Sequence, residues 1–286
     1  MYRAHFAMRE AGVRSSDGRP MGAVYGYLDM VARLVRSRHP DEVVHAYDHD
    51  WRPVARTQIY PGYKADRPPE PEELTPQFAL LREVLDFTGM PQAQAPDWEA
   101  EDAIGCLIAQ AQPGDRMEMV SGDRDLLQLV RDPDVKLLYT LRGVSELHEF
   151  DEAAVIDKYG VASSRYAEFA ILRGDPSDGL PGVQGVGDKT ARALVQAYPD
   201  LDAMIADAAS DMPQPGPLKG KPALRARVRD AASYLEAMRR LVPIKVDARL
   251  DVWAGDRWDE PLQALAEEHG LKGAVQRLLA ALDSYP

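Results

Sequence analysis

Carboxylates that directly follow strand-like segments constrain this chain more than any other feature of its sequence. The run RMEMVSGD, residues 116 to 123, has the short apolar pattern of a buried strand and leads into Asp123 and Asp125. The run EVVHAYD has the same character and delivers Asp48 at its end. Ligands gather at the carboxyl ends of strands in open α/β sheets, so the sequence predicts an acidic site at that edge.

Helical patterns alternate with these strands. Residues 21 to 38, QFALLREVLDFTG and WEAEDAIGCLIAQA have helical spacing, with Asp97 as a candidate cap for the last of them. DLLQLV predicts a short helix and VKLLYT a further strand. The alternation predicts an α/β domain with a mostly parallel central sheet flanked by helices.

Strand signals fade after about residue 151, and helical segments broken by glycine and proline continue to the end. DMPQPGPLKGKP, residues 211 to 222, is typical of a flexible connector. We therefore place a domain boundary near residue 160. The two predicted domains are an α/β domain at 1–160 and a helical domain at 161–286.

Three acidic clusters lie at predicted element ends. Asp123 and Asp125, at i and i+2 in extended chain, point to one side, where oxygen ligands can share a hard cation. A plain turn with Asp123 bonded to backbone is the alternative for that pair. For the other clusters the alternatives are a solvated acidic helix start and a capped turn, but three clusters together favour a metal site. These clusters are Glu99 with Glu101 and Asp102, and Asp175 with Asp178.

A glycine motif follows the last acidic pair. Gly182, Gly185 and Gly187 precede Lys189 and Thr190 at the start of a helical stretch. The spacing is not that of a dinucleotide fingerprint, and no strand precedes it. Closely spaced glycines let backbone N–H groups approach phosphates, which indicates a helix-hairpin-helix grip on a nucleic-acid backbone. A plain hairpin of two helices is the alternative.

The composition restricts the class of protein. The net charge of -12 argues against nucleic acid, but metal-binding carboxylates account for part of it. A local basic stretch from Lys219 to Arg249 holds nine basic and three acidic residues. No apolar run approaches the roughly eighteen residues of a membrane helix, and no export signal is seen. The single cysteine, Cys106, suits a reducing cytoplasm.

Several ordered motifs resemble the 5′-nuclease family, which includes flap endonucleases and the 5′-to-3′ exonuclease domain of bacterial DNA polymerase I. WEAEDAIG is similar to the family's GxEADDxIG block, SGDRDLLQL matches its counterpart closely, and LRGDPSDGLPGVQGVGDKTA is similar to LxGDxSDNIPGVxGIGxKTA. Asp48 with Arg56, Tyr63, Lys64 and Arg67 resembles the D...R...YKxxR block. The resemblance covers nearly the whole chain and implies a PIN-like nuclease domain followed by a helical DNA-binding domain.

The resemblance implies two metal centres that hold two or more Mg²⁺ or Mn²⁺ ions. Ligands of the first, directly or through water, would be Asp48, Glu99, Glu101 and Asp102. Ligands of the second would be Asp123, Asp125, Asp175 and Asp178. It also implies a two-metal hydrolysis of DNA. A potassium ion at the hairpin is a further expectation.

Contacts with DNA are implied by the same resemblance. Lys64 and Arg67 would lie at the base of an arch, a helical gateway at about residues 63 to 96, and contact the scissile phosphate or the 5′ strand. Tyr63 would stack on a base or pack in the core. Arg3 and Arg56 would assist phosphate contacts or form surface salt bridges. In the hairpin, the expected contacts are Gly182, Gly185, Gly187, Lys189 and Thr190.

The chain also departs from the family pattern. The apolar first strand that ends in a metal-binding Asp is not in the sequence, which favours a start site upstream of Met1. Glu101 stands where Asp is usual, and Gly179 where Asn is usual. The expected protein is a monomeric 5′-to-3′ exonuclease or 5′-flap endonuclease in the cytoplasm, acting on DNA with a free 5′ end or flap in replication or repair.

Two other functions remain open. The first is a structure-specific DNA-binding protein that lacks catalysis because the first-strand Asp is missing. The second is a phosphatase with an Asp nucleophile, which the sequence disfavours because no DxDx[TV] motif follows its first strand.

Overall fold

The computed structural model describes residues 1–141, 143–212 and 214–284. The helices in the first part of the chain are α1 (Tyr2–Ala7), α2 (Gly22–Arg38), α3 (Val54–Ile59), α4 (Thr75–Asp86), α5 (Ala100–Gln110) and α6 (Glu152–Tyr159). Those that follow are α7 (Tyr166–Arg173), α8 (Asp188–Ala197), α9 (Leu201–Ala209), α10 (Pro222–Asp230), α11 (Ala232–Leu241), α12 (Asp259–Glu268) and α13 (Lys272–Asp283). Short 3₁₀ turns occupy Asp125–Leu129, Ser163–Arg165 and Pro176–Asp178.

Short strands form two three-stranded sheets. The strands are β1 (His45–Tyr47), β2 (Gln92–Gln94), β3 (Met117–Ser121), β4 (Val135–Thr140), β5 (Leu147–Phe150) and β6 (Asp251–Trp253). In the first sheet, β2 pairs parallel with β1 and antiparallel with β6. In the second, β4 pairs parallel with β3 and antiparallel with β5. The α/β class is confirmed, and each sheet is mixed because an antiparallel strand closes one side.

The predicted helix at residues 21 to 38 is confirmed as α2. Its side chains Val24, Leu28, Val31 and Val35 are buried, at the spacing that places them on one face. The helix ends where His39 turns into the left-handed region, at φ 52°. The other predicted helices of the first 150 residues also form, as α4, α5 and the 3₁₀ turn at Asp125–Leu129.

Two predictions about individual elements were wrong. Glu99 occupies the N-cap position of α5, whereas Asp97 lies outside the helix with a φ of 68°. Strand β6 lies in the part predicted to be helical, where a three-residue strand is too short to leave a sequence signal. The arch at about residues 63 to 96 stays a prediction: within this range α4 packs into the core through Leu81 and Leu85, and residues 65 to 70 form an exposed run.

Two hydrophobic cores hold the chain together. One joins the second sheet to α6–α11, with Leu127, Leu137 and Phe169 among its buried side chains. The other is formed by α2 and α4 together with α12 and α13, which return from the end of the chain. The boundary near residue 160 stays a prediction, and this packing adds that residues from the end of the chain complete a core near its beginning.

Replacing Leu278 by Ala should lower the free energy of unfolding by about 2 to 5 kcal/mol, because the side chain is fully buried between α13 and α2. Chemical denaturation monitored by circular dichroism measures the loss. The control is Gln276→Ala on the exposed face of the same helix, which should change stability by less than about 0.5 kcal/mol. Equal effects of the two substitutions would contradict this packing.

Candidate metal centre and nucleic-acid interface

Three carboxylates converge between the end of β3 and the start of α5. Glu101 lies in the first turn of α5, Asp123 follows β3, and Asp125 begins the 3₁₀ turn after it. One oxygen of each lies within 4.8 Å of the others. Oxygen ligands at such mutual distances suit a hard divalent cation. The structure thus brings Glu101, a predicted ligand of the first metal centre, close to Asp123 and Asp125, two predicted ligands of the second.

The Asp123–Asp125 pair forms the turn that was the alternative expectation for its sequence, and both carboxylates also belong to the possible cation site. The Asp123 carboxylate accepts a hydrogen bond from the Asp125 backbone N–H at 2.9 Å, and the Asp123 N–H donates to the Ser121 hydroxyl at 3.1 Å. This is the turn expected of such a motif. The turn fixes Asp123 through one oxygen and leaves the Asp125 carboxylate without a hydrogen-bond donor among the described residues.

Crowding of negative charge makes this group unfavourable by itself. Burial raises the pKa of Asp125 to about 7, and the charges of Asp123, Asp178 and Asp175 add to the effect. Burial also raises the pKa of Glu101 well above its usual value, opposed by Arg56 and reinforced by Asp125 and Asp123. Carboxylates that cannot all be ionised without a counter-charge are suited to bind cations.

Arg56 lies beneath the carboxylates and is almost fully buried, at 2% exposure. Its guanidinium forms ion pairs with Glu99, with Asp102 at 2.8 Å and with Glu101 at 3.1 Å. Arg56 is therefore neither an accessible phosphate contact nor part of a surface salt bridge, contrary to both expectations. Its positive charge is neutralised by the three acidic residues at the start of α5, which it holds in place.

Glu99 is saturated by donors from the segment after α3. In addition to Arg56, it accepts hydrogen bonds from the Tyr63 hydroxyl at 2.6 Å and from the Lys64 ammonium group. Tyr63 is 3% exposed, so it packs in the core and does not present its ring to a base. Burial lowers the pKa of Lys64, although the carboxylates of Asp178 and Glu101 oppose the shift. Lys64 acts here on Glu99 and is not exposed to a phosphate.

Asp102 has a structural set of partners. Its Oδ1 accepts from Arg56 and from the Lys245 backbone N–H at 2.9 Å, and its Oδ2 accepts from the Glu99 N–H at 3.1 Å. Burial raises its pKa, opposed by Arg56. Three donors occupy most of the roughly four lone-pair sites of a carboxylate. Asp102 thus fixes the start of α5 and anchors the segment that contains Lys245, and its role as a metal ligand remains a prediction.

Among the described residues, two groups of acidic side chains could hold a metal ion: Glu101 with Asp123 and Asp125, and Glu99 with Glu101 and Asp102. The remaining predicted ligands belong to neither group. Asp48 accepts a hydrogen bond from the Ala100 N–H at 2.8 Å, at the start of α5. Asp175 caps the 3₁₀ turn by accepting from the Ser177 N–H at 2.9 Å. Asp178 pairs with Arg67 at 2.6 Å. Their roles as ligands remain predictions.

Two exposed arginines lie beside the carboxylates. Arg3 donates to the Gly122 carbonyl at 3.3 Å, which places its guanidinium over the turn that contains Asp123. Arg67 keeps 38% of its side chain exposed despite its ion pair with Asp178. Both side chains are exposed, and their contacts with a phosphate group remain predictions.

The glycine motif lies between α7 and α8, as expected. Gly182 and Gly185 have φ of 68° and 70°, values that glycine adopts without strain. The Gly182 N–H donates to the Tyr234 hydroxyl at 3.0 Å and so is not free for a phosphate. Gly185, Gly187 and Lys189 are exposed, and Gly187 is the N-cap of α8. Thr190 is half-buried and its N–H donates to the Gly187 carbonyl.

Sequence reasoning missed two residues that shape this region. Lys245 binds Asp102 through its backbone, a role independent of side-chain type that no motif could reveal. Arg124 lies 3.7 Å from Asp175 and so joins two of the acidic clusters. The basic residue between Asp123 and Asp125 was the available signal for Arg124.

Across the described residues, none of the helices has both the length and the apolar character needed to cross a membrane. Among solved structures, zinc-bound T5 5′-exonuclease is similar in fold, with a TM-score of 0.63 and 18% identity over 98% of this chain and 96% of that one.

Family models and curated relatives cover most of the sequence. The 5′-3′ exonuclease N-terminal resolvase-like domain matches residues 1–160, and the 5′-3′ exonuclease C-terminal SAM fold matches residues 161–262. A 5′-3′ exonuclease of Streptomyces coelicolor is 40% identical over 98% of this chain and 96% of its own length. Another, of Mycobacterium tuberculosis, is 38% identical over 100% of this chain and 95% of its own. The chain therefore belongs to the 5′-3′ exonuclease family.

Proposed function

We propose that this protein is a metal-dependent 5′-to-3′ exonuclease and 5′-flap endonuclease that hydrolyses DNA in replication or repair. The convergence of Glu101, Asp123 and Asp125 supports the proposal most directly, in a chain of this family. Solved neighbours in complex with DNA include the catalytic core of Rad2, which has a TM-score of 0.60 to this chain at 15% identity.

The three carboxylates would hold Mg²⁺ or Mn²⁺, because they offer only oxygen ligands and, among the described residues, Glu101 forms an ion pair with Arg56 whereas Asp123 and Asp125 form none. Bound cations would supply Lewis-acid activation of water and of the phosphate. No histidine, cysteine or serine nucleophile is needed at the cluster. Water attack at phosphorus with loss of the 3′ oxygen leaves a 5′ phosphate and a 3′ hydroxyl.

The basic residues divide into two roles. Arg67 and Arg3 are exposed beside the carboxylates and contribute positive charge where a phosphate would bind. Arg56 and Lys64 are buried on Glu99 and act as positioning residues for the start of α5. The exposed part of the hairpin, Gly185, Gly187 and Lys189, would bind the duplex backbone away from the cut. A potassium ion at the hairpin stays a prediction.

Asp125→Asn should abolish cleavage of a 5′-flap duplex while it weakens DNA binding by less than about threefold, because it removes a cation ligand and leaves the arginines and the hairpin in place. Gel-based cleavage with Mg²⁺ and fluorescence anisotropy in Ca²⁺ measure the two effects. The control is Asp97→Asn, whose carboxylate is 89% exposed and lies outside the acidic groups.

Cleavage by Asp125→Asn at the unsubstituted rate would refute the assigned role. An unsubstituted protein that binds the flap and leaves it uncut would instead support a DNA-binding protein without catalysis.

Binding of Mn²⁺ should weaken as the pH falls through 7, by up to about tenfold per pH unit, because a proton on Asp125 then competes with the cation. The raised pKa means that the proton is bound below about pH 7 and absent above it. Isothermal titration calorimetry in buffers of different ionisation enthalpy should detect more protons released per site near pH 6 than near pH 8. Equal proton release at both pH values would contradict this coupling.

Glu101→Gln and Asp102→Asn should separate metal binding from structure. Glu101→Gln should weaken Mn²⁺ binding at least tenfold and lower stability less than Asp102→Asn does. It removes a charge disfavoured by burial and by Asp125 and Asp123, which offsets the lost ion pair with Arg56. Asp102→Asn should lower the free energy of unfolding by about 3 kcal/mol, because it breaks a buried ion pair. Calorimetric titration and chemical denaturation give both quantities, and a reversed pattern would reassign the two residues.

A further inference from the structure

A groove opens beside the carboxylate cluster, on the other side of Arg56. It is lined by α3, by Trp98, by the end of α11 and by residues 243–247, and it has a volume of about 790 Å³. This volume falls within the roughly 300 to 1,000 Å³ that is usual for ligand sites. None of the residues assigned above to cation or hairpin contacts lines it.

The indole ring of Trp98 lies in the groove, close to two cations. The Trp98 ring centroid is 5.7 Å from the Arg56 guanidinium and 5.4 Å from the Lys245 ammonium. The Trp98 backbone is held in place, since its carbonyl accepts from the N–H groups of His49 and Asp50, both at 3.1 Å. Arg56 is fixed by its carboxylates, whereas Lys245 rests on the ring at the end of a flexible stem.

Two basic side chains of the groove are unpaired among the described residues, although its lining also includes Asp247. Within the described part of the chain, neither Lys245 nor Arg240 forms an ion pair with a carboxylate. Arg239, next in sequence, is neutralised by Asp202 at 2.6 Å and Glu236 at 3.0 Å. In a protein with a net charge of -12, unpaired cations around an aromatic ring favour a negatively charged, planar ligand.

We propose that this groove binds an unpaired segment of the nucleic-acid strand. A base stacks on Trp98 after it displaces the Lys245 ammonium, and Lys245 and Arg240 then bind the flanking phosphates. Aromatic rings combined with basic side chains are the common means of binding single strands without sequence preference. A base paired within a duplex cannot expose its face in this way, so the occupant is single-stranded.

The position of the groove connects it to the site. Trp98 immediately precedes Glu99, and Arg56 lines the groove while it binds the carboxylates of α5. A strand in the groove would thus lie next to the residues that hold the start of α5. This assignment of the strand as substrate rests on the proposed function, but binding in the groove does not require cleavage.

The test uses the fluorescence of Trp98 in the full chain. Substitution of the other tryptophans by Phe, at Trp51, Trp253 and Trp258, leaves one indole as the reporter. Addition of oligothymidylate in EDTA should quench Trp98 in a saturable manner, since a base stacked on the ring quenches it. A duplex of equal length should quench it much less. No quenching by the single strand, or equal quenching by the duplex, would overturn the proposal.

The double substitution Arg240→Ala with Lys245→Met should weaken binding of oligothymidylate about tenfold. The slope of the logarithm of the binding constant against the logarithm of the salt concentration should become shallower by about 1.4, because two phosphate contacts are lost. The Met side chain retains the apolar stem, and the backbone contacts of Lys245 are kept. The matched control, Arg33→Ala with Lys272→Met, removes the same charge from α2 and α13, away from the groove. Equal losses in both variants would leave only a general charge effect and would overturn the proposal.

Cleavage assays keep this inference separate from the proposed function. Quenching by the single strand in a protein without nuclease activity would support the groove and reject the nuclease. Flap cleavage at the full rate with no quenching of Trp98 would support the nuclease and reject the groove.

Discussion

The buried guanidinium of Arg56 is the interaction on which the rest of the site depends. It neutralises Glu99 and Asp102, which burial would otherwise destabilise, and it reaches Glu101 at 3.1 Å. This ion pairing fixes the first turn of α5 against α3. Because Glu101 lies in that turn, the position of the carboxylate shared with Asp123 and Asp125 follows from a residue that need not touch a cation.

The two acidic groups that share Glu101 differ in how much of their negative charge the protein itself neutralises. In the group at the start of α5, cationic side chains and backbone N–H groups already occupy Glu99 and Asp102. In the group with Asp123 and Asp125, burial and, to a smaller extent, repulsion between carboxylates raise the pKa of Asp125 to about 7. The first group is held by the protein's own charges, whereas the second needs charge from outside. Adjacent carboxylates thus serve structure and cation binding.

The site also depends on parts of the chain that are distant in sequence. The backbone of Lys245 binds Asp102, the turn at Pro176–Asp178 accepts a hydrogen bond from the Lys64 N–H through the Asp178 carbonyl, and α12 and α13 complete the core around α2. Gly179 shows the closeness of these contacts, because a Cβ at this position would meet the Gly62 carbonyl. A glycine where the family usually has Asn therefore fits the local packing.

The sequence by itself determined the α/β class, most helices and strands of the first 150 residues, and the family, because periodicity and ordered motifs are local signals. It also identified the carboxylates that form the cluster. Only the tertiary structure decided which carboxylates already have partners within the protein. Glu99 is bound by the buried side chains of Arg56, Tyr63 and Lys64, although the motif suggested contacts between these three residues and DNA. The burial of a side chain and its partners depends on segments far apart in sequence, and so does the short strand β6, which forms only because β2 offers an edge.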